Sequence, residues 1–355
     1  MSCVSLRDLH ANRLLLTTVP GLEDLLLEEA ARLLHTVRRG DIRRGRVLLE
    51  CSRPLEVDEL SALVSRLALA EKAYVVMLEA RAKSLEEIGG IVRQGLCYLE
   101  ELLKPPVYFA VEAERVGEHP FTSRDIAREV GSVIQELKPP PPVSLDDPDV
   151  LLYAELIGEE FRLCVDLTPF TSLRDRGYRV YLHPSALNPV VARAMCRVAR
   201  VRNGDVVVDP VCGSGTIIIE CLLEAPNARG VGCDVNPLHV KGALSNARAA
   251  GVTADFIVAD VRSLARTIRP PVDVIAANPP YGIRERAVGG LRRVYEWLFQ
   301  GASQVLGEGG RLVVLSPLKG LVEEAWRKAG RLELLERRTL EIGGLKTHMF
   351  LFVRH

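Results

Sequence analysis

The 355-residue chain has no apolar run near the roughly 18 residues that a membrane-spanning helix needs, and its longest runs, such as 206–208 and 312–315, are short. This excludes a transmembrane protein. The N-terminus also lacks a small-residue cleavage site after its short leucine run at 14–16, so it does not resemble a secretory signal. We therefore expect an ordinary globular protein of the cytoplasm that does not contact a membrane.

The eight cysteines include no Cys-x-x-Cys pair, which argues against a zinc site and against a disulfide framework. We expect buried, reduced thiols and no metal. Amide side chains are scarce too: Asn and Gln number 11 together, and 38 of the 46 basic residues are Arg. Both biases are compatible with a thermophile, and a GC-rich genome would produce them equally well.

The net charge is zero, but the charges are not evenly spread. Residues 1–185 carry 23 basic and 30 acidic side chains, whereas residues 186–355 carry 23 basic and 16 acidic ones. The C-terminal part is therefore the better candidate for contact with a polyanion.

The N-terminal half is predicted to form two α+β units. Strands and helices alternate over residues 1–80, as in a small ferredoxin-like domain. Residues 81–168 form a second unit, in which a long helix is predicted over 85–103 and another over 123–137, ending before four consecutive prolines. Residues 169–185 are polar, keep no period and are predicted to be a linker.

Residues 186–355 have a β/α rhythm that predicts an α/β fold with a doubly wound parallel sheet. Such sheets bind their ligands at the carboxyl ends of the strands. Helices separate most of the predicted strands, which are 206–208, 230–233, 255–258, 272–276 and 311–315.

A glycine-rich turn follows the first of these strands and leads into a helix. It reads Asp209-Pro210-Val211-Cys212-Gly213-Ser214-Gly215-Thr216, and its glycines and helix N-terminus suit the close approach of a ligand. A dinucleotide fingerprint needs another glycine where Ile218 stands, so NAD binding is disfavoured. Asp234 and Asp260 end the next two strands. One strand-end Asp is more often a helix cap, but three in succession predict one shared crevice.

The fourth strand ends in Asn278-Pro279-Pro280-Tyr281, followed by Gly282. The prolines remove backbone donors, so the carbonyls and the Asn278 amide oxygen are free to accept hydrogen bonds from a substrate. Tyr281 offers a flat ring for stacking on a flipped base. An amine whose N–H groups are held by such acceptors is a better nucleophile, and displacement at a methyl-sulfonium then depends mainly on alignment.

Together these two motifs resemble those of the S-adenosylmethionine-dependent amino-methyltransferases. The segment Gly117-x-His119-x-Phe121-Thr122-Ser123-x-Asp125-Ile126 resembles a THUMP RNA-binding domain, and residues 174–179 resemble the Arg-Gly-Tyr linker of THUMP-containing enzymes. The resemblance covers nearly the whole chain and is closest to the guanine-N2 methyltransferases of tRNA. It implies a Rossmann-like methyltransferase domain preceded by ferredoxin-like and THUMP domains.

The resemblance also implies roles for residues. The methyl donor would be held by Asp209, Cys212, Gly213, Ser214, Gly215, Thr216, Asp234, Val235, Asp260 and Val261, with Asp234 on the ribose. The target amine would be held by Asn278 and the Pro279 carbonyl, within a turn completed by Pro280 and Tyr281. The segment Ser185-Ala186-Leu187 either closes over the donor or only begins a helix, with Ser185 as its cap. No metal is implied.

RNA contacts are predicted at several basic residues. Arg284, Arg286, Arg292 and Arg293 follow the amine turn, where phosphate contact is favoured. His119 and Arg124 lie near the start of the THUMP helix, although His119 is equally suited to local hydrogen bonds. The arginine-rich run 38–46 either tracks phosphates or forms a solvated hairpin tip.

The substrate expected from the resemblance is guanosine 6 of the tRNA acceptor stem. Enzymes acting on guanosine 10 usually begin the amine turn with Asp, whereas this chain has Asn278. Methylation at position 10, once or twice, and methylation of ribosomal RNA are the alternatives within the family. A protein glutamine N5-methyltransferase and a non-catalytic tRNA-binding adaptor are alternatives outside it. We expect a monomer.

Overall fold

The computed structural model describes residues 11–169, 171–183, 186–282 and 290–355. Contacts divide the chain into two compact units. The first contains the described residues up to Thr18 together with Leu26–Leu173, and the second contains Val19–Leu25 and Arg174–His355. No helix in the described ranges has the length and apolarity needed to cross a membrane.

The N-terminal half is built on one seven-stranded sheet. Its strands are β1 Ala11–Thr17, β2 Val37–Arg43, β3 Arg46–Leu55, β4 Lys72–Arg81, β5 Phe109–Val116, β6 Val150–Ile157 and β7 Glu160–Asp166. The helices of this half are α1 Glu23–Leu33, α2 Val57–Arg66, α3 Leu85–Gln94, α4 Leu96–Glu100 and α5 Ser123–Ile134. The strand order is β2-β3-β1-β4-β7-β6-β5, so β4 joins the strands of the two predicted α+β units in one sheet. The domain bounds at residues 80 and 168 stay predictions.

Local signals explain where these helices begin and end. Thr122 caps α5 through a reciprocal pair of hydrogen bonds with Asp125, which satisfies two backbone donors of the first turn. The helix predicted over 85–103 is instead divided into α3 and α4 at Gly95. A Cβ on Gly95 would lie 2.4 Å from the side chain of Leu78, so a larger residue at this position would displace Leu78.

A buried ion network connects the strands of the first unit. Arg162 of β7 donates to Glu155 at 2.9 Å and to Glu79 at 2.8 Å, and Arg46 donates to Glu155 at 2.7 Å. Arg46 belongs to the arginine-rich run 38–46, which forms β2, a tight turn and the start of β3. Arg43 of the same run pairs with Glu160 at 2.9 Å. Part of the run therefore stabilises the sheet.

The second unit contains the other sheet, also of seven strands. They are β8 Val206–Asp209, β9 Arg229–Asp234, β10 Ala254–Val258, β11 Val272–Ala277, β12 Leu306–Ser316, β13 Leu332–Ile342 and β14 Leu345–Arg354. The helices are α6 Pro189–Val198, α7 Thr216–Glu224, α8 Pro237–Ala249, α9 Leu264–Thr267, α10 Leu291–Val305 and α11 Lys319–Ala329. The order is β10-β9-β8-β11-β12-β14-β13. The predicted Rossmann-like sheet is confirmed, and the β13–β14 hairpin adds two antiparallel strands that the sequence analysis did not predict.

The chain order of this sheet reverses beside β8, which pairs with β9 on one side and β11 on the other. A crevice opens at such a switch point, at the carboxyl ends of the strands. Behind it, α10 packs on the sheet through Tyr295 and Phe299, which belong to one buried cluster with Phe350 and Phe352 of β14. The crevice therefore rests on a rigid core.

The expectation that all thiols are reduced is wrong for one pair, because Cys196 of α6 and Cys221 of α7 form a disulfide. Their Cα atoms are 5.3 Å apart on two neighbouring helices. A separation of 25 residues has no local signature, so the pairing could not be read from spacing. The described free cysteines are Cys51, Cys97, Cys164, Cys212 and Cys233.

Part of the predicted linker packs against the second sheet's helices. The phenol of Tyr178 donates to the buried carboxylate of Glu220 at 2.8 Å, and Arg176 donates to the same carboxylate at 3.2 Å. Glu220 lies in α7, which begins at the glycine turn. The Arg-Gly-Tyr segment is therefore anchored to the helix that opens the candidate site.

Candidate active site

The glycine turn after β8 brings backbone donors to the end of the sheet. Gly213 and Gly215 have φ angles of 51° and 79°, in the left-handed region that favours glycine. A Cβ on Gly215 would lie 2.9 Å from Ala243 and 3.0 Å from Phe256, so a larger residue would also displace the packing below. The turn is thus tightly packed against Ala243 and Phe256, and it leads into the N-terminus of α7.

Asp209, the last residue of β8, is a buried carboxylate with few partners. It is 1% exposed, and the backbone N–H of Val211 donates to it at 3.0 Å. Burial raises the pKa of Asp209 to about 8, against the hydrogen bond from Val211, and the negative charge of Asp234 adds to the increase. Such a carboxyl group is poised to ionise when a cation enters beside it.

Asp234, at the end of β9, bridges the glycine turn and α8. Its Oδ2 accepts from the backbone N–H of Gly213 at 3.0 Å. Its Oδ1 accepts from the backbone N–H of Asn236 at 2.8 Å and lies 3.2 Å from Nδ1 of His239. A carboxylate has about four acceptor positions, so roughly one remains, on Oδ2. The ring of His239 also packs edge-on against His183, with centroids 4.2 Å apart.

Asp260 follows β10 and caps a short 3-10 helix, Val261–Ser263, by accepting from the backbone N–H of Arg262 at 2.9 Å. Burial alone would raise the pKa of Asp260, but its hydrogen bonds with Arg262 and the positive charge of that residue outweigh burial and lower the pKa. The Arg262 guanidinium lies 5.4 Å from the ring centroid of Trp297. Asp260, Arg262 and the ring of Trp297 thus form one corner of the site, next to Val261.

The amine turn follows β11 directly. The phenol of Tyr281 donates a hydrogen bond to the amide oxygen of Asn278, and burial raises the pKa of Tyr281 well above its usual range. The hydroxyl therefore stays protonated at neutral pH, so it remains a donor. The Tyr281 hydroxyl thus orients the amide oxygen of Asn278, which is the acceptor predicted for a substrate amine. A substrate amine would replace this hydroxyl as the donor.

All these groups meet in one cavity of about 700 Å³. Of the predicted donor and amine residues, those that line it are Ala186, Leu187, Asp209, Cys212, Gly213, Ser214, Thr216, Asp234, Val235, Asp260, Val261, Asn278, Pro279, Pro280 and Tyr281. Gly215 of the same turn packs against Ala243 and Phe256 and does not line the cavity, and Ser185 lies outside the described residues. The glycine turn and the amine turn therefore face one space, large enough for a drug-sized ligand.

Family models match both halves of the chain. The RMKL-like methyltransferase domain matches residues 176–348, and the THUMP domain matches residues 85–166. A tRNA (guanine(6)-N2)-methyltransferase of Archaeoglobus fulgidus is 31% identical over 95% of this chain and 91% of the relative. The chain belongs to the THUMP-containing tRNA guanine-N2 methyltransferases.

A second member of this methyltransferase family, the tRNA (guanine(6)-N2)-methyltransferase of Thermus thermophilus, is 36% identical over 94% of this chain and 97% of the relative. The crystal structure of TrmN from Thermus thermophilus is 34% identical, with a TM-score of 0.83, and the match covers 97% of this chain and 99% of that one. The likeness thus extends over both halves of the methyltransferase.

The predicted RNA contacts have different surroundings in the structure. Arg292 pairs with Glu324 of α11, while Arg293 is exposed at the start of α10. Arg284 and Arg286 lie outside the described residues. Nε2 of His119 lies 2.6 Å from the carbonyl of Gly158, and its Nδ1 lies 3.3 Å from the guanidinium of Arg115. These local hydrogen bonds agree with the second interpretation of His119.

Arg124 is exposed, in the first turn of α5. An RNA contact of Arg124 stays a prediction, as it does for the other residues of this set.

Several residues that line the cavity were not predicted from the sequence. His239 lies in the first turn of α8, one turn past Asp234, where the Asn236-Pro237 helix start could have drawn attention to it. Trp297 enters from α10, and the β13–β14 turn contributes Gly343 and Leu345. No local motif marks these positions, because they reach the cavity only through the sheet order.

Proposed function

We propose that the protein transfers a methyl group from S-adenosylmethionine to N2 of guanosine 6 in tRNA. The observation that carries the proposal is the shared cavity, in which the Asn278 turn faces the glycine turn between Asp209 and Thr216. Relatives named for guanine 6 match nearly the whole chain, which supports this position over guanosine 10.

The described side chains fit the methyl donor. S-adenosylmethionine supplies an electrophilic methyl group on a sulfonium, and it also carries an ammonium group, a ribose diol and an adenine. Asp209, which lines the cavity and can ionise as a cation enters, supplies negative charge for the cationic end. The corner of Val261 and Trp297 provides apolar surface for the base.

The ribose would be shared between two side chains. Asp234 has roughly one acceptor position left after its bonds to Gly213, Asn236 and His239, so it cannot accept from two hydroxyls without a change. We place one hydroxyl on Oδ2 of Asp234 and the other beside Nε2 of His239. Donation from Nδ1 of His239 to Asp234 would leave Nε2 as an acceptor for that hydroxyl.

The target amine would be held by the Asn278 amide oxygen and the Pro279 carbonyl. The exocyclic nitrogen of guanine is a weak nucleophile because its lone pair is delocalised into the ring. Fixed acceptors for its N–H groups orient that lone pair toward the methyl donor, so the two reactants are aligned for reaction more of the time. Tyr281 would release Asn278 as the base enters and pack its ring on the base.

The first unit would supply docking, because the THUMP match lies in it. We propose that the protein acts as a monomer in the cytoplasm and uses no catalytic metal. Across the described ranges, His, Cys, Asp and Glu form no group of three or more that could hold a metal ion.

The proposal is tested with bulk tRNA, labelled donor and mass analysis of the digested nucleosides. We expect N2-methylguanosine as the labelled product. Donor binding without methyl transfer would favour the adaptor function, and label on glutamine side chains of protein would favour the protein methyltransferase.

A further inference from the structure

Three cations cluster on β13, β14 and the first turn of α11, outside the site described above. We call Lys319, Arg337 and Lys346 the rim cluster. Lys319 and Arg337 are 44% and 45% exposed, and Lys346 is also exposed. Their positive charges converge on His348: burial, and after it the charges of Arg337, Lys346 and Lys319, lower the pKa of His348. The cluster is thus an exposed basic surface around His348.

The sheet topology places the rim cluster at the edge where the amine turn lies. β11 and β12 are parallel, so their carboxyl ends share that edge, and α11 begins there at Lys319, three residues after Ser316. β14 runs antiparallel to β12, with His348 opposite Ser316. The β14 residues Lys346 and His348 are therefore two strands, or about 10 Å, from the strand that carries Asn278.

The rim cluster shares the β14 end of the hairpin with residues that line the cavity. Leu345 and Thr347, on either side of Lys346, both line the cavity. Because successive side chains of a strand point to opposite faces, Lys346 lies on the hairpin face opposite to the one that borders the site. A nucleic acid strand that leaves the cavity and crosses the edge of this hairpin would reach the cluster.

The acidic residues nearby leave the cluster positive. Glu323 of α11 is shared, since it lies 3.6 Å from Lys319, 3.8 Å from Arg337 and 3.8 Å from Arg327. One carboxylate cannot neutralise three cations. Lys346 is opposite Glu341 in the strand register, so one further acid borders the cluster.

We infer that the rim cluster binds the phosphate backbone of the RNA strand that presents the target guanosine. The inference rests on the proposed function. A base extruded into the cavity must bring its own flanking phosphates to the rim, and exposed cations there would contact them without reading sequence. Arg292, also near the amine turn, is held by Glu324 and is a weaker candidate.

The test compares Lys319→Ala, Lys346→Ala and the double variant with Arg327→Ala, using an unmodified tRNA transcript that carries G6. Arg327 also contacts Glu323 and is exposed, but it lies eight residues further along α11, about 12 Å from Lys319. Each phosphate contact contributes a roughly threefold loss of affinity between 50 and 200 mM salt. The loss of affinity between 50 and 200 mM salt should therefore be about tenfold smaller for the double variant than for wild type.

Arg327→Ala and the charge-preserving pair Lys319→Arg with Lys346→Arg should keep the wild-type salt dependence. Affinity for S-adenosylhomocysteine and the melting temperature should not change in any variant, which separates lost docking from misfolding. If wild type methylates the transcript and the double variant has the same salt dependence as Arg327→Ala, the inference is overturned and the proposed function still stands. If wild type does not methylate the transcript, the proposed function fails first.

Discussion

Two buried carboxylates in the two units have opposite surroundings. Glu155, in β6 of the first unit, is fully buried and is held by Arg162 and Arg46. Asp209, at the end of β8 in the second unit, is 1% exposed and accepts from the backbone N–H of Val211. The first carboxylate has its cations within the fold, and the described residues provide none for the second.

The difference indicates a different role for each of these two carboxylates. A buried charge that is paired on all sides connects strands and offers nothing to a ligand. A buried carboxyl group with a raised pKa, at the carboxyl edge of a doubly wound sheet, is a candidate for binding a cation from outside. The charges around Glu155 therefore serve structure in the first unit, and we expect the Asp209 carboxyl group to be available for a cationic donor.

The largest expected effect is on chemistry alone. Asn278→Ala should reduce methyl transfer by orders of magnitude, because the amine loses the acceptor that orients it. Donor affinity and stability should stay near wild type, since Asn278 belongs to a turn at the end of the sheet. Single-turnover rates with saturating tRNA measure the loss. Asn278→Asp is the matched control, since it keeps an acceptor oxygen, and near-normal rates in Asn278→Ala would show that the amine is held elsewhere.

The next effect separates the two buried carboxylates. Glu155→Gln removes the anion between Arg162 and Arg46, and breaking a buried pair in this way costs about 3–5 kcal/mol of folding free energy. Asp209→Asn should cost little stability, because the carboxyl is already largely protonated near neutral pH. It should instead weaken donor binding. Denaturant unfolding measures the stability, and calorimetry with S-adenosylhomocysteine measures the donor affinity. A large loss of stability in Asp209→Asn together with a loss of donor affinity in Glu155→Gln would contradict the comparison.

A smaller effect concerns the ribose. Asp234→Ala should weaken donor binding by about 1.5–3 kcal/mol, because a charged acceptor is lost. His239→Ala should weaken it less. If His239 contacts the ribose, its effect should shrink with a donor analogue that lacks one ribose hydroxyl. An Asp234→Ala variant with wild-type affinity would remove that residue from the site.

An effect of similar size is a pH dependence. The pKa of Asp209 is raised to about 8, and a cationic donor favours the ionised form. Binding should therefore release a proton below pH 8, and affinity should rise by up to about tenfold per unit from pH 6 to 8 and level off above. Calorimetry in two buffers of different ionisation enthalpy counts the proton. The slope should be lost in Asp209→Asn, and an equal slope in that variant would assign the proton to another group.

The sequence predicted the two turns of the site far better than the other residues that line the cavity. The glycine turn and the Asn278 turn are local patterns, so their positions at strand ends follow from hydrophobic runs. His239, Trp297 and Leu345 come from three separate elements and reach the cavity through packing, which no spacing reveals. The β13 strand escaped prediction because it is an edge strand with exposed and charged residues along much of its length.

The central claim is methylation of guanosine 6, and the most direct measurement uses two tRNA transcripts. In one, G6 is replaced by adenosine, and in the other, G10 is replaced by adenosine, with pairing preserved in both. We predict that the first is not methylated and that the second carries one labelled N2-methylguanosine, located by mass analysis of nuclease fragments. Methylation that survives the loss of G6 and disappears with the loss of G10 would contradict the assignment.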